Sequence, residues 1–179
     1  MDRALSEKLE KIVLLVLDVD GVLTDGKIII DDLGNESKHF HVRDGHGLKL
    51  LMRGGVDVVL LTGRTSEVVK HRADDLGIRD VYQGAKDKAQ AMDEILGKRG
   101  LSGESVAYVG DDVVDVPAFR MVGFSAAVAG APGYVREQAD YVTERGGGDG
   151  AVREICEMIL DARGTWNAVM ARYGINAGE

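Results

Sequence analysis

A chain of 179 residues, 45% hydrophobic and 29% charged, has the composition of an ordinary globular protein and fits one domain with a sizeable core. Its net charge of −8, with no basic stretch set apart from the acidic residues, argues against a nucleic-acid surface, so an anionic substrate must meet a local positive site. A single cysteine excludes a disulfide framework. The charged start from Met1 to Lys11 does not resemble a signal peptide, and no apolar run approaches a membrane span, which predicts a cytoplasmic protein with no membrane partner.

Ala4 to Lys11 predict a short entry helix. The apolar run Ile12 to Leu17 then reads as a strand buried on both faces, ended by Asp18, Val19, Asp20 and Gly21. Side chains two apart on extended backbone point the same way, so Asp18 and Asp20 face one pocket. Two neighbouring carboxylates repel each other, and a divalent cation such as Mg²⁺, which takes oxygen ligands, would reconcile them. Their ordinary alternative is to cap the next turn. Ile28 to Ile30 and Ser37 to Phe40 flank the turn residues Asp31 to Asn35 and predict a hairpin. Arg43-Asp44-Gly45 breaks that pattern, and Leu48, Leu51 and Met52 give a helical face ended by Gly54-Gly55.

A second buried strand, Val56 to Leu61, runs into Thr62-Gly63-Arg64. Thr65 and Ser66 then cap a helix reaching about Leu76, with Gly77 at its exit. A short strand near Val81 and Tyr82 precedes a helix opened by Lys88. Ser105 to Val109 is a third buried strand, stopped by Gly110-Asp111-Asp112. Pro117 suits the first turn of a helix over Ala118 to Met121, and Phe124 to Val128 is a further strand. Pro132 opens a short helix, Tyr141 to Thr143 adds an edge strand, and a glycine-rich loop from Gly146 to Gly150 leads into a helix over Val152 to Leu160. Cys156 lies on that helix's apolar face as a small core residue.

Strands alternating with helices predict an α/β fold, a doubly wound and mostly parallel sheet. Ligands of such sheets bind beyond the carboxyl ends of the strands, where Asp18, Asp20, Thr62, Lys88, Asp111 and Asp112 all fall. The set suits phosphoryl transfer, which needs charge compensation and positioning more than covalent chemistry. Asp18 is the expected nucleophile, forming an aspartyl phosphate, and Asp20 the general acid and base. Thr62, through hydroxyl and backbone N–H, with Gly63 in the same loop and the Lys88 ammonium, would hold the phosphate oxygens. Asp111 would complete the metal site, with Asp112 or Asp115 acting directly or through water. Arg64 and Arg72 are expected to select a substrate carrying a carboxylate as well as a phosphate, because an arginine fork matches a carboxylate in two hydrogen bonds. Each member also has an ordinary reading: Thr62 as a turn residue, Lys88 as a solvated lysine, Gly110 to Asp112 as a tight turn, Arg72 as a surface arginine. His39 and His41 would share a strand face, but no third ligand at zinc spacing accompanies them; His46 and His71 read as surface residues.

The stretches DVDGVLTDG, LLTGR, Lys88 and GDDVVDVPAF resemble, in order and spacing, the four motifs of the haloacid dehalogenase superfamily of phosphohydrolases. From about Ile12 to Leu160, HVRDGHGLKLL, VYQGAKDK, ADYVT and GGDGAVREIC further resemble the 3-deoxy-D-manno-octulosonate 8-phosphate phosphatases of lipopolysaccharide precursor synthesis. That resemblance implies a Rossmann-like core, and the chain reads as a single domain over residues 1–179, with a hairpin insertion at about 27–41 too small to be a cap domain and a C-terminal helix and tail over 151–179, where nothing is carried over from the resemblance beyond Leu160. It implies a Mg²⁺-dependent phosphatase of a phosphorylated sugar acid, with metal held by Asp18, the backbone carbonyl of Asp20, and Asp111. It also implies a homotetramer, and the hairpin's Ile28-Ile29-Ile30 would leave apolar surface exposed on a monomer. Relatives acting on the eight-carbon sugar carry Gly-Arg at 63–64, where nine-carbon relatives can carry Gly-Glu.

Three other readings stand beside this one. A phosphoacceptor signalling domain also gathers carboxylates, a Thr and a Lys, but its phosphorylated Asp follows a middle strand, where Thr62 stands here. A non-catalytic assembly module of the kind fused to acylneuraminate cytidylyltransferases could dispense with Asp20 or Lys88, and both are present. A phosphatase for a nine-carbon keto-acid 9-phosphate shares the same chemistry.

Overall fold

The computed structural model describes residues 2–175. In chain order the elements are α1 (Arg3–Leu9), β1 (Leu14–Leu17), β2 (Ile29–Ile30), β3 (Glu36–Ser37), α2 (Val42–Arg53), β4 (Asp57–Leu61), α3 (Glu67–Leu76), β5 (Asp80–Tyr82), α4 (Lys88–Arg99), β6 (Val106–Gly110), α5 (Val116–Phe119), β7 (Phe124–Ala127), α6 (Gly133–Arg136), β8 (Tyr141–Val142), α7 (Ala151–Ala162) and α8 (Trp166–Ala171). Six strands form one sheet in the order β5-β4-β1-β6-β7-β8, all neighbours parallel. This is the doubly wound sheet expected from the sequence.

The winding explains where a ligand can sit. The chain moves outward from β1 through β4 to β5, then returns to lay β6 against the other side of β1. Parallel crossovers are right-handed, so the two directions of travel place helices on opposite faces: α2 packs with α3 and α7, and α4 with α5. Between β1 and β6 the loops diverge and leave a crevice. The four β1 residues Leu14, Leu15, Val16 and Leu17 are fully buried, covered on both faces, which is why they form an unbroken apolar run.

Two local differences from the sequence expectation have physical causes. Helix α2 starts at Val42 rather than beyond Gly45. The break suggested by Arg43-Asp44-Gly45 is a packing feature instead: the buried Asp44 carboxylate accepts from Gly150 N (3.2 Å) and Arg153 N (2.8 Å), capping α7 from a neighbouring helix. The hairpin strands are only two residues each. The Asp31 carboxylate organises a wide turn by accepting from Leu33 N and Asn35 N, and a two-stranded ribbon with no third strand gains little by extending. Beyond Leu160, α8 is anchored through Tyr173, whose hydroxyl accepts from Arg53 at 2.6 Å. Among the described residues, no helix is long and apolar enough to cross a membrane.

Candidate active site

At the carboxyl ends of β1, β4 and β6 a cavity of about 380 Å³ is lined by Asp18, Asp20, Thr62, Gly63, Arg64, Lys88, Asp111 and Asp112, among others. Size alone would not select it. A larger cleft of about 790 Å³ beside α7 mixes Arg43, Arg145 and Arg153 with Glu144, Asp149 and Glu157, charges of both signs with no nucleophile set against a fixed cation.

Asp18 follows β1 and still belongs to the sheet, since its N–H donates to Val109 O at 3.0 Å. Its carboxylate is buried, and burial lifts its pKa to about 6, with Lys88 opposing and Asp115 adding to the rise. Lys88, at the start of α4 with a side chain 2% exposed, places Nζ 3.1 Å from Asp18 Oδ1 and donates to Asp115 Oδ1. Burial works against the Lys88 charge, yet the carboxylates of Asp18 and Asp115 hold its pKa above the ordinary value. The ordinary reading of Lys88 as a solvated lysine is thereby excluded.

Asp115 has no exposed side-chain surface. Its Oδ1 accepts from Lys88 and from Tyr108 OH (2.7 Å), and its Oδ2 accepts from the N–H groups of Asp111 (3.0 Å) and Asp112 (3.1 Å). Both oxygens are thus engaged by protein donors. Asp112 turns away, since its Oδ1 accepts from Val113 N at 2.7 Å and closes a capping box with Asp115.

Asp18, Asp111 and Asp115 bring carboxylate oxygens within 4.8 Å of one another. Burial, reinforced by the charges of Asp18 and Asp115, pushes the Asp111 carboxyl up to about 7. Gly21 makes this approach possible: at φ +91° it turns the chain, and a Cβ there would lie 2.0 Å from Asp111 Oδ2. Two buried carboxylates, Asp18 and Asp115, and the half-buried Asp111 face one buried ammonium, an excess of negative charge that a divalent cation beside Asp18 and Asp111 would balance.

Thr62 is buried, but its backbone N–H is already used, donating to Tyr82 O at 2.9 Å within the sheet. The expectation that this N–H holds phosphate is therefore corrected. The Thr62 hydroxyl accepts from Arg64 N at 3.3 Å, and the neighbouring Gly63 N–H has no partner among the described residues. Asp20 lies across the cavity mouth beside the hairpin. Its Oδ1 accepts from Lys38, while its buried Oδ2 has no hydrogen-bond partner.

Lys38 and Glu36 were not anticipated from the sequence, although residues two apart after a hairpin turn share a face. Glu36 accepts from Arg64 at 2.8 Å. Arg64 thus reaches the cavity, whereas Arg72 stands apart from it, paired with Asp75 at 2.7 Å and lying over the Phe40 ring. The histidine pair does not share a strand face either: β3 ends at Ser37, and His41 precedes α2 beside Asp44. Cys156 is buried, and burial raises its thiol pKa, as a core residue requires. Ile28, Ile30, Leu33 and Val42 are exposed, Leu33 by 87%.

Residues 42–123 match the haloacid dehalogenase-like hydrolase family. The chain is 46% identical over 157 residues to the 3-deoxy-D-manno-octulosonate 8-phosphate phosphatase KdsC of Escherichia coli K12, covering 88% of this chain and 84% of that protein. It is 46% identical over 160 residues to the enzyme of that name from Haemophilus influenzae, covering 89% of each. The crystal structure of the Moraxella catarrhalis 3-deoxy-D-manno-octulosonate 8-phosphate phosphatase, in complex with a magnesium ion, a phosphate ion and KDO, matches with a TM-score of 0.94 at 40% identity, over 97% of this chain and 99% of that one.

Proposed function

The chain belongs to the 3-deoxy-D-manno-octulosonate 8-phosphate phosphatases, within the haloacid dehalogenase-like hydrolases, and we propose that Asp18 is the nucleophile with which it hydrolyses that ester. The enzyme is a Mg²⁺-dependent phosphomonoesterase, releasing the free sugar acid and phosphate in lipopolysaccharide precursor synthesis. The observation that carries the role of Asp18 is its place 3.1 Å from a buried lysine that Asp115 fixes from behind.

Asp18, the backbone carbonyl of Asp20 and Asp111 would hold the Mg²⁺, which offsets negative charge on the phosphate and on the carboxylates when bound. An oxygen of Asp18 forms a bond to phosphorus as the bond from phosphorus to the sugar oxygen breaks. That oxygen leaves with the electron pair and takes a proton from Asp20. Water then attacks phosphorus, gives a proton to Asp20, and the bond to Asp18 breaks to release phosphate. Lys88, the Thr62 hydroxyl and the Gly63 N–H hold the phosphate oxygens throughout, and Arg64 meets the substrate carboxylate at the cavity mouth.

The same reading treats the chain as one catalytic domain whose only insertion is the hairpin, in a cytoplasmic homotetramer. Exposed Ile28, Ile30 and Leu33 support association through the hairpin, and Arg72 would then serve the cavity of a neighbouring copy. A panel of phosphorylated keto acids, assayed for phosphate release with Mg²⁺, tests the substrate. The eight-carbon 8-phosphate is expected to give the highest kcat/KM, and preference for a nine-carbon 9-phosphate would overturn the assignment.

A further inference from the structure

We propose that Lys38, carried by the β2–β3 hairpin, is a positioning residue for Asp20 in protonating the leaving sugar oxygen. This rests on the acid and base role given to Asp20 above and adds the element that holds it in place. The Lys38 side chain is 2% exposed, a rare state for lysine unless it is paired. Its ammonium reaches Asp20 Oδ1, with Glu36 Oε1 at 3.4 Å, so the hairpin places its buried cation against the carboxylate that must meet the leaving group.

The other nearby cation does not do this. Arg64 is held by Glu36 at 2.8 Å, and its Nε lies 3.7 Å from Asp20 Oδ2, beyond hydrogen-bond reach. Asp20 follows the strand on an irregular turn, and among the described residues Lys38 is the group that hydrogen-bonds its carboxylate. The Lys38 contact on Oδ1 fixes the Asp20 rotamer, while the buried Oδ2 has no hydrogen-bond partner. Glu36 completes the device by holding Lys38 and drawing Arg64 aside.

A lysine that only fastened the hairpin to the core would affect every substrate alike. A lysine that aims an acid matters when the leaving group needs a proton. Single-turnover rates with enzyme in excess isolate the first chemical step, and two esters separate the cases: the sugar phosphate, whose alkoxide needs protonation, and 4-nitrophenyl phosphate, whose phenolate leaves without it. Lys38→Met is expected to slow cleavage of the sugar phosphate roughly 10- to 100-fold, less than the roughly 10²- to 10⁴-fold that a general acid itself supplies. Cleavage of the aryl ester should fall by less than about threefold, and Lys38→Arg should recover part of the loss. Lys38→Gln, which keeps an N–H donor, carries the comparison if Lys38→Met does not fold.

Equal losses on the two esters, or none on either, would overturn the positioning role. Asp20→Asn is measured alongside: leaving-group dependence there but not in the Lys38 variants defeats the role of Lys38 alone, while its absence in Asp20→Asn defeats the acid reading and the inference together. The sugar phosphate can be any alkyl ester that the wild type cleaves, so an error in the substrate assignment leaves the test of Lys38 intact.

Discussion

Lys88 and Asp115, twenty-seven positions apart in the chain, form a buried ion pair in which the same Asp115 oxygen also accepts from Tyr108. The pair joins the start of α4 to the loop after β6. It sets Lys88 beside Asp18 and, through the other Asp115 oxygen, shapes the loop that carries Asp111. Asp115→Ala should therefore cost roughly 1–3 kcal/mol of stability, the usual result of leaving a buried donor such as the Tyr108 hydroxyl without its acceptor, and should lower kcat at least about tenfold. Urea unfolding read with phosphate release checks both; an active variant of native stability would refute the pairing's importance.

Asp18→Asn should abolish turnover while leaving the sheet intact, because the amide is nearly isosteric with the carboxylate and a far poorer nucleophile. Circular dichroism is expected to match wild type, and phosphate release to fall to background. Residual activity within about tenfold of wild type would exclude the aspartyl phosphate.

Metal-free protein should lose stability as pH rises. The carboxyls of Asp18 and Asp111 stand near 6 and 7, raised from 3.8 chiefly by burial. A group with a raised folded pKa contributes its full stability below the unfolded pKa and loses it as pH climbs through the folded one. The melting temperature in chelator should accordingly decline between about pH 4 and pH 7. Mg²⁺ should restore it more at pH 7.5 than at pH 5, and an equal shift at both pH values would contradict these two groups as its ligands.

Arg64→Ala should impair hydrolysis of the carboxylate-bearing sugar phosphate more than that of a simple aryl phosphate. A charged hydrogen bond is worth roughly 1.5–3 kcal/mol, or about 10- to 100-fold in relative kcat/KM. Since Arg64 is paired with Glu36 in the free protein, Glu36→Gln should lower KM for the sugar phosphate by freeing the guanidinium. Equal losses on both esters in Arg64→Ala would assign the arginine to the phosphate or the fold.

Hairpin contacts are tested by Ile28→Asp with Ile30→Asp. Both isoleucines are more than half exposed on the single chain, so the double variant should keep its fold yet run as a monomer in light scattering beside an oligomeric wild type. A wild-type monomer would remove the association reading.

The α/β class and the residues at the strand exits were legible in the sequence because each depends on short-range pattern. The run Ile12 to Leu17 reads as a doubly covered strand, and Asp18, Thr62, Lys88 and Asp111 follow strand segments by at most six residues. Gly21 was readable as a turn, though the close approach of Asp111 that it permits was not. The start of α2 at Val42 was not legible, because Asp44 resembles a loop residue until α7 lies beside it, when it becomes the cap of another helix.

Tertiary structure alone decided which charged groups share partners. Asp112 and Asp115 look equally suited to a metal in the sequence, and only the packing of α4 against α5 gives Asp115 to Lys88. Nothing in the sequence ties Glu36 and Lys38 to the site until the hairpin folds back over Asp20, and Arg64 and Arg72 diverge because α3 carries the second away from the cavity. Periodicity reports the face on which a residue lies, whereas electrostatic pairing depends on distances between segments remote in sequence. Those distances are set by the winding of the sheet.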